Sequence, residues 1–392
     1  MHAQSHHKPW NRHTIDDSFE GADGIKLADV NGDGLLDITT GWEESGVTRL
    51  YLNPGPAKVK DKWPAVTVGN TPSVEDAVFV DVDADGVMDV VSSTEGESKT
   101  IFVHWAHNDK EKYLDSNAWR TEALPTSKFV TQWMFSIPME IDGKNGIDLV
   151  AGGKGPDAKI GWFESPAEPR ELSAWVWHPL FKTGWIMSLV SVDMDGDADR
   201  DILLSDRRGL SQGCYWLENP GSSVAKSQPW NRHLVGAHGK EVMFLTVTDL
   251  DQNGMIDILV AVKPRDLLYL RRMSRDGKVW EAFPIQLPEN AGTAKAVGVG
   301  DINLDNRLDI VFSCEGAIDG RSGVMWMSYE KAVTDRVWGA HEISGPKGVK
   351  YDLVELLDLD GDSDLDVITC EEREKLGVFW YENPHTNRVG GR

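Results

Sequence analysis

The chain has 392 residues, with 40 Lys+Arg against 63 Asp+Glu and a formal net charge of −23 at pH 7. So acidic a surface is unsuited to nucleic acid or anionic membranes, which select basic patches, while 40% hydrophobic residues are too many for a disordered acidic chain. No apolar run approaches the roughly 20 residues of a membrane-spanning helix, so no membrane insertion is expected, and three cysteines (Cys214, Cys314, Cys370) form neither a disulfide framework nor a zinc pair and read as free thiols.

The chain opens on Met1-His2-Ala3-Gln4-Ser5, without an apolar signal core, and on a histidine cluster of His2, His6 and His7. A Trp-bearing strand follows, PWNRHTI (Pro9–Ile15). Then an acidic motif recurs seven times, on average one seventh of the chain apart. The first, DVNGDGLLD, sets Asp29, Asn31, Asp33 and Asp37 at positions 1, 3, 5 and 9. The second sets Asp81, Asp83, Asp85 and Asp89 there, whereas the third, EIDGKNGID (Glu140–Asp148), has Lys144 at position 5. The fourth carries Asp193, Asp195, Asp197 and Asp201, and the fifth Asp249, Asp251, Asn253 and Asp257. The sixth carries Asp301, Asn303, Asp305 and Asp309, and the seventh Asp358, Asp360, Asp362 and Asp366.

Each motif has an apolar strand before it and another after it. Next comes an aromatic strand ending in a turn (RLYLNPG, IGWFESP, CYWLENPG, VFWYENP), then a strand opened by tryptophan: Trp63, Trp119, Trp175, Trp230, Trp280 and Trp338. Four short strands per repeat predict an all-β fold: a seven-bladed β-propeller of four-stranded blades, one domain over 1–392. The blades are expected at 24–68, 77–124, 133–180, 185–235, 242–285, 294–343 and 350–383 plus 10–15. The last repeat lacks a Trp strand after Pro384, so the N-terminal strand with Trp10 is expected to pair with the C-terminal blade and close the ring. Recurrence in every copy marks these seven tryptophans as packing residues.

The motif's alternate oxygen side chains, with a turn residue at position 6, suit a hard cation such as Ca²⁺. Structural calcium is expected in every blade except the third, where the Lys144 ammonium would replace it. The acidic ligand positions nearly account for the whole net charge, so the loops should repel one another without metal. These repeats resemble the FG-GAP/VCBS family of calcium-binding propeller repeats found in integrin α-chains. The Phe-Gly and Gly-Ala-Pro elements of the integrin type are missing, which places the resemblance with the broader VCBS-like group. That group spans adhesion modules, fungal lectins, and propeller domains of sugar lyases and dehydratases such as aldos-2-ulose dehydratase. The resemblance and the calcium loops imply a secreted or periplasmic protein whose export signal is absent from this sequence.

If the acidic hairpins lie at one end of the propeller, the other connections surround the channel at the opposite end. Six residues past each motif stand Glu43, Glu95, Lys154, Arg207, Lys263, Glu315 and Glu372, all charged. Blades 3, 4 and 5 give cations and the other four give Glu, so the mouth is expected to have a basic and an acidic half. Arg208, Arg265, Lys240 and His238 add to the first, Glu44, Glu97 and Glu371 to the second, and Arg373 breaks the pattern. Trp42, Trp133, Trp185 and Tyr351 are candidates for stacking a sugar.

The leading expectation is a carbohydrate lyase or dehydratase acting by β-elimination on an anionic or keto sugar. Lys154, Arg207 and Lys263 would stabilise the enolate. His238, or else Tyr351, would serve as base and Glu43 or Glu372 as acid; an additional divalent metal in the pocket is a further candidate. The alternative is a calcium-dependent carbohydrate-binding or adhesion propeller without catalysis.

Overall fold

The computed structural model describes residues 8–385, so the cluster of His2, His6 and His7 lies outside the described residues. Seven four-stranded antiparallel sheets are arranged as the blades of a propeller. We call the strands of each blade a to d, with a nearest the channel. Six blades are continuous in sequence, over 22–70, 74–123, 132–182, 186–236, 242–286 and 293–342. The seventh takes strands a to c from Tyr351–Leu357, Asp366–Glu371 and Gly377–Glu382, and its strand d is Asn11–Asp16. Asn11 pairs with Glu382 and Thr14 with Phe379, which closes the ring and leaves this blade no free c edge. No helix among the described residues is long and apolar enough to cross a membrane.

Burial explains the strand patterns. The b strands lie between both neighbouring blades, so DITTGW, DVVSST and DILVAV are buried at every position. The d strands face solvent along one side and are mostly exposed or half-buried, as in VWHPLFK. The repeated d-strand tryptophan has a specific task. The indole N–H of Trp63, Trp119, Trp175, Trp230, Trp280 and Trp338 donates to Val59, Tyr113, Pro169, Ala225, Gly277 and Asp335. Each acceptor is a carbonyl in the same blade's c–d connection. The three cysteines are buried and free.

The last aspartate of each acidic motif is a buried staple. Asp37 accepts the Val30 N–H at 3.0 Å and the Asn53 N–H at 2.8 Å, tying the a–b loop to the end of strand c. Asp89, Asp148, Asp201 and Asp366 hold the two equivalent amides of their blades. In blade 5, Asp257 instead takes the Tyr269 hydroxyl and the Arg272 N–H.

Candidate functional site: the channel mouth

All seven a–b pairs slip register near the mouth, between Asp23 and Lys26, Val74 and Asp76, Trp133 and Phe135, Ile186 and Ser188, Val242 and Leu245, Ala294 and Val297, and Tyr351 and Val354. A bulge re-aims the residues it contains. Here it includes Glu75, Met134, Met187, Met243, Lys295 and Asp352, and all six line one cavity of about 200 Å³ at the channel mouth. Phe135 and Phe244 also line it, and both recur in the apolar wall of the channel below, alongside Leu189 and Val354.

The ring of charges at the ends of the b strands converges on this cavity. Glu43, Glu95, Lys154, Arg207 and Glu315 line it. Lys263 is ion-paired with Glu315, and Glu372 with the lining residues Lys295 and Lys350. The expected division into a basic and an acidic half is corrected. Lys295 and Lys350 put two ammonium groups among the glutamates of blades 6 and 7. On the other side Glu241 pairs with Arg207 at 2.8 Å. Lys154 bridges Glu75, at 3.0 Å, and Glu95. The mouth is a neutralised lattice rather than two opposed fields.

Burial sets the protonation states. Glu75 is pushed up to about 8 by burial, against the pull of Lys154 and with the push of Glu95 and Glu43. Asp23 is raised well above the usual carboxylate range by burial and by Asp352, Glu372 and Glu75. Burial, then Glu44, raises half-buried Glu43. Burial works against Asp352 as an anion too, but Lys295, Asp23 and Lys350 outweigh it and hold that carboxyl low. Lys295 itself is raised: its burial is overcome by Asp352, Glu372 and Asp23. A carboxyl that titrates near 8 favours its protonated form at neutral pH, so Glu75 can serve as a proton donor, and Asp23 is shifted in the same direction.

Trp185 is the aromatic wall. The cationic groups of Lys154, Arg207 and Arg208 lie 4.8, 4.5 and 4.8 Å from its ring centroid. Its indole N–H is buried and has no hydrogen-bond partner among the described residues. The other expected stacking residues are placed elsewhere. Trp42 and Trp133 are fully buried between blades and donate to the Tyr51 hydroxyl and the Ser127 carbonyl. Tyr351 is buried too, bonded to Lys347 and Tyr381; burial pushes its hydroxyl up to about 12, and it does not line the cavity. His238 is exposed, 3.0 Å from the Tyr215 hydroxyl, and does not line the cavity. Lys240 is exposed beside it, also away from the cavity. Arg265 is spent on the Ala291 and Pro288 carbonyls of the connection into blade 6.

At the other end lie the acidic loops. Oxygens of Asp81, Asp83 and Asp85 come within 4.8 Å of one another, as do those of Asp193, Asp195 and Asp197. Asp251 Oδ1 and Asp360 Oδ1, both at position 3, are buried and accept no hydrogen bond among the described residues. Such oxygens fit a bound cation. A carboxylate has about four acceptor sites, so a position-9 aspartate holding two amides keeps capacity for a metal. In blade 3 the ammonium on the loop is not that of Lys144, which is exposed at the hairpin tip. It is Lys226 of blade 4, which lies 2.9 Å from Asp142 and 2.6 Å from Glu164. At the mouth, Asp23, Asp352 and Glu372 also gather within 4.8 Å, but the Lys295 ammonium binds two of the three, in the place a metal would take.

The chain is thus a seven-bladed β-propeller built on an acidic-loop repeat. Residues 29–92 and 249–312 match the FG-GAP-like repeat family. No curated protein matches it. Among solved structures, BBS1N in complex with ARL6DN, soaked with lead, has a TM-score of 0.54 at 9% identity, covering 97% of this chain and 99% of that one. The mercury-soaked form of that complex gives 0.53 at 10% identity, covering 96% and 98%. An Agrocybe aegerita lectin that recognises non-reducing terminal N-acetylglucosamine gives 0.43 at 14% identity, covering 83% and 80%. At these identities the two BBS1N structures are alike in fold alone.

Proposed function

We propose that the propeller binds one small hydroxylated ligand bearing a carboxylate or carbonyl, of the sugar-acid or keto-sugar class, at the channel mouth. The observation that carries this reading is Trp185, a cavity wall ringed by Lys154, Arg207 and Arg208. An aromatic face suits the apolar side of a sugar ring and the cations suit its charged or carbonyl end. The cavity is smaller than the roughly 300 Å³ at which drug-sized pockets begin, which matches a single sugar unit. Protonated and ionised carboxyls around it offer donors and acceptors to hydroxyl groups. Calcium in the acidic loops braces the opposite face in this reading.

A β-elimination is the second reading, favoured by Glu75, pushed up to about 8 by burial and 3.0 Å from Lys154. Glu43, as carboxylate, would take the proton next to the carbonyl; the carbon–oxygen bond would break and Glu75 would protonate the departing hydroxyl. The products are an unsaturated carbonyl compound and water. Arg207 and Lys154 would stabilise the enolate.

Calorimetric titration with glucuronate, gluconate and 2-ketogluconate tests the binding. Arg207→Ala is expected to weaken it about tenfold or more, the scale of a hydrogen bond to a charged group. Silence across the panel in folded protein would sink the reading. Ultraviolet absorbance of an unsaturated product separates the lyase from the binder.

The pH dependence follows from Glu75. Its pKa is raised, so it is neutral below about 8 and anionic above. An anionic ligand should bind more weakly as pH rises through that value, and Glu75→Gln should flatten the profile. The folded state keeps a proton that the unfolded chain loses from its ordinary value of 4.5 upward. This group's contribution to stability therefore falls as pH rises between those values.

A further inference from the structure

Three blades share a latch on the acidic-loop face. In blade 7, Lys60 from the c–d connection of blade 1 lies 3.1 Å from Asp360 and 3.0 Å from Glu382. Glu382 also holds His13 at 2.8 Å, and that ring lies over Trp380. Blade 3 repeats the arrangement with Lys226, Asp142, Glu164, His178 and Trp162. Blade 4 repeats it more loosely, with Lys278 3.8 Å from Glu218, which holds His233 against Trp216. Each latch fills the gap below a Trp–His stack with a lysine from the next blade.

Blade 6 keeps the stack but, among the described residues, has no lysine latch. Trp326 and His341 lie face to face at 3.9 Å and 14°. Ser328 stands where the sister blades have glutamate, and Asn303 where they have aspartate. The next blade is the seventh, whose strands c and d come from opposite ends of the chain, so no c–d connection exists there to supply a lysine. A cavity of about 320 Å³ stands in its place, lined by Trp10, Asn303, Trp326, Ser328, His341 and Pro384, among others. The missing connection has a second effect. The other six d-strand tryptophans donate their indole N–H to a carbonyl of that connection. The Trp10 N–H has no acceptor among the described residues, and its ring lines the cavity.

We propose that this cavity is a second binding site, separate from the mouth, for a neutral hydroxyl-bearing ring such as a hexopyranoside. Neutrality follows from the two exchanges: an ammonium here would lack the carboxylate pair that holds it in blades 3 and 7, and the Glu342 carboxylate, which also lines the cavity, is taken up by the Ser322 hydroxyl and the Ile343 and Gly345 amides. The indole N–H of Trp10 supplies a donor for a ring oxygen or hydroxyl, Ser328 a hydroxyl, and Trp326 and Trp10 aromatic surface.

Nitrogen–proton spectra of the full chain test this, with the Trp10 indole signal assigned by its loss in Trp10→Phe. Methyl glucoside, methyl galactoside and methyl mannoside are the neutral probes and n-butylammonium is the lysine mimic. At least one hexoside should shift the Trp10 signal, and its affinity by calorimetry should fall about fivefold in Trp10→Phe, which removes one donor and keeps a ring. Ser328→Glu should weaken the hexoside and admit n-butylammonium. A Trp10 signal unmoved by every hexoside overturns the proposal, as does an affinity unchanged in Trp10→Phe. A wild-type site that prefers n-butylammonium overturns the neutral class.

Discussion

Stripping calcium with a chelator is expected to lower the unfolding temperature of this protein by well over ten degrees, and re-addition to restore it. The physical reason is charge held at short range. In blades 2, 3 and 4 three loop carboxylates come within 4.8 Å of one another, and burial pushes the position-9 aspartates upward, Asp89 and Asp366 to about 8. A ligand bound only by the folded state stabilises by about 2.7 kcal/mol at a hundredfold excess over its Kd. Several such loops together would rival the ~5–15 kcal/mol net stability of an ordinary domain. Blade 3 should respond least, because Lys144 stands at position 5 in place of an oxygen ligand and Lys226 already pairs with Asp142. Calorimetry with calcium, with magnesium and with chelator decides it; a midpoint indifferent to all three would show that the loops are held by their own hydrogen bonds. Lys226→Met should destabilise whether or not calcium is present, since it leaves Asp142 buried without its ion pair.

Replacing Lys295 by methionine is expected to cost about 3–5 kcal/mol, the scale for breaking a buried ion pair from one side. Its ammonium is buried between Asp352 and Glu372, with Asp23 beside them. Without it, two buried carboxylates face each other with only Lys350 left to Glu372. Those carboxyls would move upward, so the variant should regain stability as pH falls, a sign opposite to the usual acid destabilisation of paired carboxylates. The triple variant Lys295→Met, Asp352→Asn, Glu372→Gln removes the unpaired charges and should recover much of the loss. Urea unfolding of the three proteins at two pH values is the measurement. A single variant as stable as wild type would mean that water reaches this cluster freely.

The ring, its blade count and its closure were legible because the acidic motif recurs in a fixed frame and because one Trp strand was missing at one end and spare at the other. The charged mouth was legible for the same reason: a constant offset from the motif lands at the same height in every blade. What escaped was whatever broke period-two alternation. Glu75, Lys295 and Asp352 lie in bulges, where strand alternation misdirects a side chain, although a charge inside an otherwise apolar strand was a visible sign. Trp42 and Trp133 read as mouth residues by position, but blade-to-blade packing took their rings into the core. His238 stands out in the sequence for its chemistry alone, and chemistry says nothing of where a connection swings. Lys226 was out of reach because its partner, Asp142, belongs to the blade before.

Because blade 7 is stitched from both ends of the chain, those ends leave the ring together. Strand d of that blade begins, and its strand c finishes, on the acidic-loop side, where Trp10 and His385 line one hollow. The described chain thus enters and leaves on the side opposite the charged mouth. A partner approaching along the chain from that side would meet the hollow beside Trp10 before it met the mouth.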